Sequence, residues 1–202
     1  SVFALLTYRL TFYYTESFLG LAALGVLAVG VQISEAVWIL PKSIATVQYS
    51  KISNLKSRED AASLTMFLLF FILFFTGLAV AVLNILPETL YTTIFGDEFI
   101  GVKAVIIALS IGIVLASMNN ILSHFFSGTG KIIINLLSSL SGFLSVGAAG
   151  YILIKGADIQ VAAWVSTLGY SVTFLFSLIA FYFMIKMKKI SLKKGLKILA
   201  DN

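Results

Sequence analysis

Four stretches of this 202-residue chain, 62–87, 104–130, 132–154 and 159–185, carry no charged side chain at all. A helix rises 1.5 Å per residue, so about 20 apolar residues cross the roughly 30 Å of a bilayer's hydrocarbon. Strands of a membrane barrel would instead show segments of about 10 residues with alternating polarity. A fifth uncharged stretch, 17–34, continues past Glu35 as Ala36-Val37-Trp38-Ile39-Leu40, and a sixth, 1–15, is broken only by Arg9. These runs predict an all-α, polytopic transmembrane bundle of six helices, near 1–17, 20–48, 61–86, 101–126, 132–154 and 159–187. Composition agrees. The chain is 59% apolar and 11% charged, against about 45–50% and 25% in soluble domains, and a globule of this size cannot hide so much apolar surface.

Eleven of the fourteen basic residues fall on one side of that topology: Lys42, Lys51, Lys56, Arg58, Lys131, Lys186, Lys188, Lys189, Lys193, Lys194 and Lys197. The positive-inside rule then puts both ends of the chain and the loops at 49–61 and 127–131 in the cytoplasm. Residues 1–187 form the bundle. Residues 188–202 form a basic tail in which Leu192, Leu196 and Leu199 share a helical face, as expected of a helix lying on anionic lipid. The net charge of +5 comes mostly from this tail, so nucleic acid is not an expected partner; membrane lipids are. Ser57, ahead of Arg58-Glu59-Asp60, is the expected cap of the third helix. The stretch 87–103 reads as the longest outer loop, and Ser141, Ser145 and Ala149 read as a close-packing stripe on the fifth helix. Ser1 opens directly inside an apolar segment without a Met or a targeting signal, so the chain reads as a piece of something longer.

Polar groups inside spans are costly and usually face an interior or a wet cavity. Arg9 is therefore either a contact for an anionic head group or half of an ion pair with Glu16 or Glu35. Glu35 is a candidate proton or cation site, and Pro41 removes a helical hydrogen bond and marks a kink that suits a gate. Trp38 lies deeper than an interfacial aromatic should, facing a cavity or simply packed. Asn119, Asn120, Ser123 and His124 form two pairs spaced four apart, at a cavity mouth or cross-linking helices. Catalytic constellations are missing: there is no HExxH, GxSxG or GxxxxGK[ST] motif. With no Cys and one His, neither a metal site, a cofactor nor enzymatic activity is expected.

The stretch Leu24-Gly25-Val26-Leu27-Ala28-Val29-Gly30-Val31-Gln32-Ile33-Ser34-Glu35, running on through Trp38, Pro41 and Ala45 to Ile52-Ser53, resembles a motif of bacterial polysaccharide-unit flippases. These are the O-antigen and oligosaccharide translocases of the multidrug/oligosaccharidyl-lipid/polysaccharide exporter superfamily. Met118-Asn119-Asn120-Ile121-Leu122 through Gly128-Thr129-Gly130-Lys131, and Val161-Ala162-Ala163-Trp164-Val165-Ser166 through Tyr170, resemble two further motifs in the same order. The family's second Pro is absent near Tyr49, and its "LIP" reads Leu153-Ile154-Lys155. The resemblance implies one lobe of a two-lobe transporter, here the C-terminal one, lacking an N-terminal six-helix half. It implies alternating access for an isoprenoid-pyrophosphate-linked oligosaccharide across a bacterial cytoplasmic membrane, for cell-surface polysaccharide synthesis, with glycan-assembly enzymes as further partners. Arg9 would then offset the desolvation of the pyrophosphate, and Glu35 would couple transport to ions. The alternatives are a cation-coupled multidrug antiporter of the same superfamily and a non-transporting scaffold for glycan assembly.

Overall fold

The computed structural model describes residues 2–55, 57–185 and 191–200. Among them there are nine α-helices and no strand: α1 (Val2–Leu19), α2 (Leu21–Ala36), α3 (Ile39–Asn54), α4 (Arg58–Ile85), α5 (Glu88–Phe95), α6 (Val102–Gly128), α7 (Ile132–Leu153), α8 (Ile159–Ile185) and α9 (Leu192–Ala200). The end of the expected bundle, 186–187, and 188–190 and 201–202 of the tail lie outside the described residues. Four helices, α4, α6, α7 and α8, are long and apolar enough to cross a membrane, and α2 with α3 makes a fifth crossing if the bent pair is one span. The six crossings expected are thus four or five. The sixth candidate, α1, dilutes its apolar residues with Arg9, Glu16 and a run of Thr and Tyr.

The segment expected as one helix over 20–48 is broken. Val37 N donates to Ser34 O (3.3 Å) and Trp38 N to Glu35 O (2.8 Å), a tightened turn in place of regular helical bonding. Pro41 offers no N–H to the Val37 carbonyl, and it sits in the first turn of α3, where that loss costs least. The axes of α2 and α3 differ by 48°. The kink expected at Pro41 is therefore real and falls at 37–38.

α6 is the central helix, packed on α8, α4, α3 and α2, with α7 on the far side of α8 and α1 against α7 and α2. Small residues permit the closest crossings. A Cβ on Gly112 would lie 2.9 Å from Thr167 Cα, and one on Gly150 would lie 2.6 Å from the Tyr14 ring. The Thr167 hydroxyl donates to Ala108 O at 2.7 Å, tying α8 to α6 where the backbones meet. On α7 the contact face is Ser138, Gly142, Val146 and Gly150. That is one residue along from the stripe expected at Ser141, Ser145 and Ala149. Ser141 and Ser145 instead return their hydroxyls to Ser138 O and Gly142 O of their own helix.

Two apolar cores result. One contains Leu27, Val31, Val105, Leu109, Ile113, Ala162 and Val165. The other contains Ala45, Ile52, Leu64, Leu68, Ile72, Ile121, Leu122, Phe125, Phe126, Phe174 and Phe181, with Phe125 and Phe181 edge to face at 4.9 Å. The second lies at the basic end of the bundle, with Lys51, Arg58, Lys131 and α9. At the opposite end the expected 87–103 loop is folded into α5 and a 3₁₀ turn, Asp97–Phe99. There the Tyr91 hydroxyl donates to Leu83 O (2.9 Å), and burial pushes it above the usual tyrosine range. Ser57 stands at the cap position of α4 but makes no side-chain capping bond. The turn into α7 needs Gly130, whose φ of +74° is costly for any residue with a Cβ.

Candidate functional site

Between the two cores three helix surfaces carry polar side chains among apolar ones at one level. On α2–α3 the residues at that level are Glu35, Trp38 and Lys42; on α6 they are Ala116, Asn119 and Asn120; on α8 they are Tyr170 and Thr173. With Ser139 of α7 and Val2, Leu5, Thr7 and Tyr8 of α1 they line a cavity of about 900 Å³ that opens to one side. Ligand cavities usually measure about 300–1,000 Å³, so the space suffices for a sizeable organic group.

The periodicity of each helix explains the lining. Glu35, Trp38 and Lys42 are three and four residues apart and share a face despite the bend, because the break keeps helical rotation through 37–38. Trp38 anchors the wall. Its indole Nε1 donates to Ile113 O (3.3 Å), its ring meets Tyr170 edge on at 5.7 Å, and the Lys42 ammonium stands 5.2 Å from its centre. Trp38 is thus both packed and cavity-lining. Neither Glu35 nor Lys42 has an ion-pair partner among the described residues, and Glu35 is only partly exposed. A carboxylate and an ammonium two turns apart, each with an open side, present both signs of charge to the same space.

Of the two readings for Asn119 and Asn120, a cavity mouth or a cross-link between helices, both residues line the cavity, and the Asn119 Oδ1 is buried without a hydrogen-bond partner. Ser123 and His124, grouped with them in the sequence, are not among the lining residues; the bond at Ser123 is to its main-chain carbonyl. Ser123 O accepts from Asn135 Nδ2 of α7 (2.8 Å), and His124 Nδ1 sits 2.8 Å from Asn120 O on its own helix. Pro41 is buried behind the wall rather than in it.

Arg9 departs from one expectation. The sequence reads it as a contact for an anionic head group or as half of an ion pair with Glu16 or Glu35; its side chain is exposed, lies outside the cavity lining and has no ion-pair partner among the described residues. The reason is helical phase. α1 buries Thr7, Thr11 and Thr15, spaced four apart, and a residue two beyond Thr7 must point nearly the opposite way. The cation that the cavity does contain is Lys42, which sequence reasoning assigned to the basic flank. Its position two turns after Glu35 was the available signal. Tyr8 and Thr173 had no signal, since nothing local distinguishes them from packing residues.

Among the described residues no group of three or more acidic or His side chains could hold a metal ion. Comparison with known protein families, with curated proteins and with solved structures finds no match to this chain. A functional reading therefore stands on the residues themselves.

Proposed function

We propose that this chain is one lobe of a membrane flippase that moves an isoprenoid-pyrophosphate-linked oligosaccharide by alternating access. The observation that carries the reading is the mid-level cavity in a bundle of long apolar helices, lined by an ammonium, a carboxylate, two amides and an aromatic wall. An anionic, sugar-bearing head group needs charge compensation and hydrogen bonds while it crosses hydrocarbon. Lys42 meets the charge, Asn119 and Asn120 meet hydroxyls, and the Trp38–Tyr170 corner offers apolar faces to sugar rings. Lys42 takes the role first expected of Arg9. The bend at 37–38 lets α3 swing while α2 stays packed, and rocking of one lobe against a companion six-helix half would expose the cavity to either side. In this reading the basic end faces the cytoplasm of a bacterial cell, by the positive-inside rule.

Glu35 in the cavity with Arg9 outside it favours a second reading, a cation-coupled multidrug antiporter. Proteoliposomes containing the full-length protein separate the two. For a flippase, Lys42→Gln lowers translocation of the lipid-linked oligosaccharide at least about tenfold, the scale of a lost contact to a charged group. For an antiporter, Glu35→Gln abolishes proton-driven drug uptake and Lys42→Gln leaves it intact. If both variants transport normally, the cavity is not a transport site and a scaffold role for glycan-assembly enzymes takes precedence.

A further inference from the structure

The basic end holds a second recess, apart from the cavity. α9 does not merely rest there; it is fastened across α3 and α4. Lys51 Nζ donates to the Ile198 and Leu199 carbonyls (3.0 and 2.9 Å), covering the end of α9 where its free carbonyls concentrate negative charge. At the other end Ser191 N donates to Ser63 Oγ (3.2 Å), and Lys194 pairs with Asp60 of α4. Midway, Gly195 is pressed against the Ser63 carbonyl, and a Cβ there would also come within 2.9 Å of Phe67 Cβ.

This register decides which residues of α9 remain outside. Ile198 and Leu199 tuck against the core, while Leu192 and Leu196 stay 47% and 53% exposed. They face the outer aromatic surface of α4, where Phe70 and Phe74 are 56% and 65% exposed. Together with Phe67, Phe71 and Phe75 these side chains wall a groove of about 450 Å³, apolar throughout except for Lys193 at its edge. Lys197 follows one turn later on the same side of α9. α4 is among the helices long and apolar enough to cross a membrane, so its outer face meets acyl chains, and the groove ends where a span gives way to the interface.

An apolar trough lined at its edge by Lys193, with Lys197 one helical turn further along α9, matches a hydrocarbon chain capped by a negative group. A neutral lipid would leave the lysines without a counter-charge, and a basic amphipathic helix is drawn to the negative surface of a leaflet. We propose that the α4–α9 groove binds an anionic phospholipid from the leaflet at the basic end, one acyl chain lying along Phe70, Phe71 and Phe74 and the phosphate meeting Lys193 and Lys197. The fastening of α9 by Lys51, Asp60 and Ser63 makes this a shaped site, distinct from a loosely attracted annulus.

The test is fluorescence quenching on the full chain in mixed phosphatidylcholine–phosphatidylglycerol vesicles, with Phe74→Trp as reporter and the parent chain subtracted for Trp38 and Trp164. Brominated acyl chains are placed on one lipid and then on the other. Brominated phosphatidylglycerol should quench more strongly than brominated phosphatidylcholine at equal mole fraction. Lys193→Gln and Lys197→Gln should each reduce that preference about fivefold, with circular dichroism unchanged because both side chains are exposed. Lys131→Gln, away from the groove, should leave the preference as it was. Equal quenching by the two lipids overturns the proposal, as does a preference that survives loss of both lysines.

Discussion

The two ends of the bundle and the level between them are built from the same three interior helix surfaces yet obey opposite rules. At the ends, α6 and its neighbours meet through Val, Leu, Phe and Gly, and some of the buried polar groups there cross-link helices. Asn84 Nδ2 reaches Ser110 Oγ (2.8 Å), and Gln48 Nε2 reaches Thr65 Oγ1 (2.9 Å), each a cross-link between helices. In the middle, Glu35, Lys42 and Asn119 are left with unused charge or hydrogen-bonding capacity. Helix packing gains from filled space at the ends. At mid-level the same helices hold an open space lined by apolar and polar side chains together.

Mutations at the ends and in the middle should separate these roles. Phe125→Ala removes a fully packed ring that meets Phe181 edge on. It should lower unfolding stability in detergent micelles by about 3 kcal/mol, the low end for Phe truncation, because little transfer energy separates a lipid-exposed ring from a buried one. Gly112→Val drives a side chain into Thr167 and disturbs its bond to Ala108, so a loss of about 1–3 kcal/mol is expected in the same assay. Asn119→Leu should change stability by less than about 1 kcal/mol, of either sign, since its buried carbonyl oxygen gives up no bond. A large destabilisation there would mean that the middle is packed like the ends and would break the contrast.

The weakest expected effect is at α9. The hydrogen bond that the Lys194 ammonium donates to the Asp60 carboxylate holds Lys194 above the usual lysine range. Its contribution to docking is therefore complete below the ordinary lysine pKa and fades as pH rises through the raised value. Limited proteolysis after 191 should accelerate over that alkaline interval in the parent chain, and Lys194→Gln should abolish the pH dependence.

Charge-free runs made α4, α6, α7 and α8 visible in the sequence to within a few residues, because a helix in hydrocarbon must be apolar along its whole length whatever it packs against. The polarity of Glu35, Asn119 and Asn120 inside such runs marked them as well, since leaving them there needs a compensating environment. Other features were settled only when helices met. The exposure of Arg9 follows from the rotation of α1, which Thr7, Thr11 and Thr15 set by packing inward. Lys42 enters the cavity because the backbone tightens at 37–38 and carries Glu35, Trp38 and Lys42 round as one face. The contact face of α7 fell on Gly142 and Gly150 rather than one residue earlier, where Thr173 and Tyr14 needed the room. Hydropathy is a property of each segment and can be read locally. Rotation about a helix axis is decided by the neighbours that fill its grooves, and no segment contains that information alone.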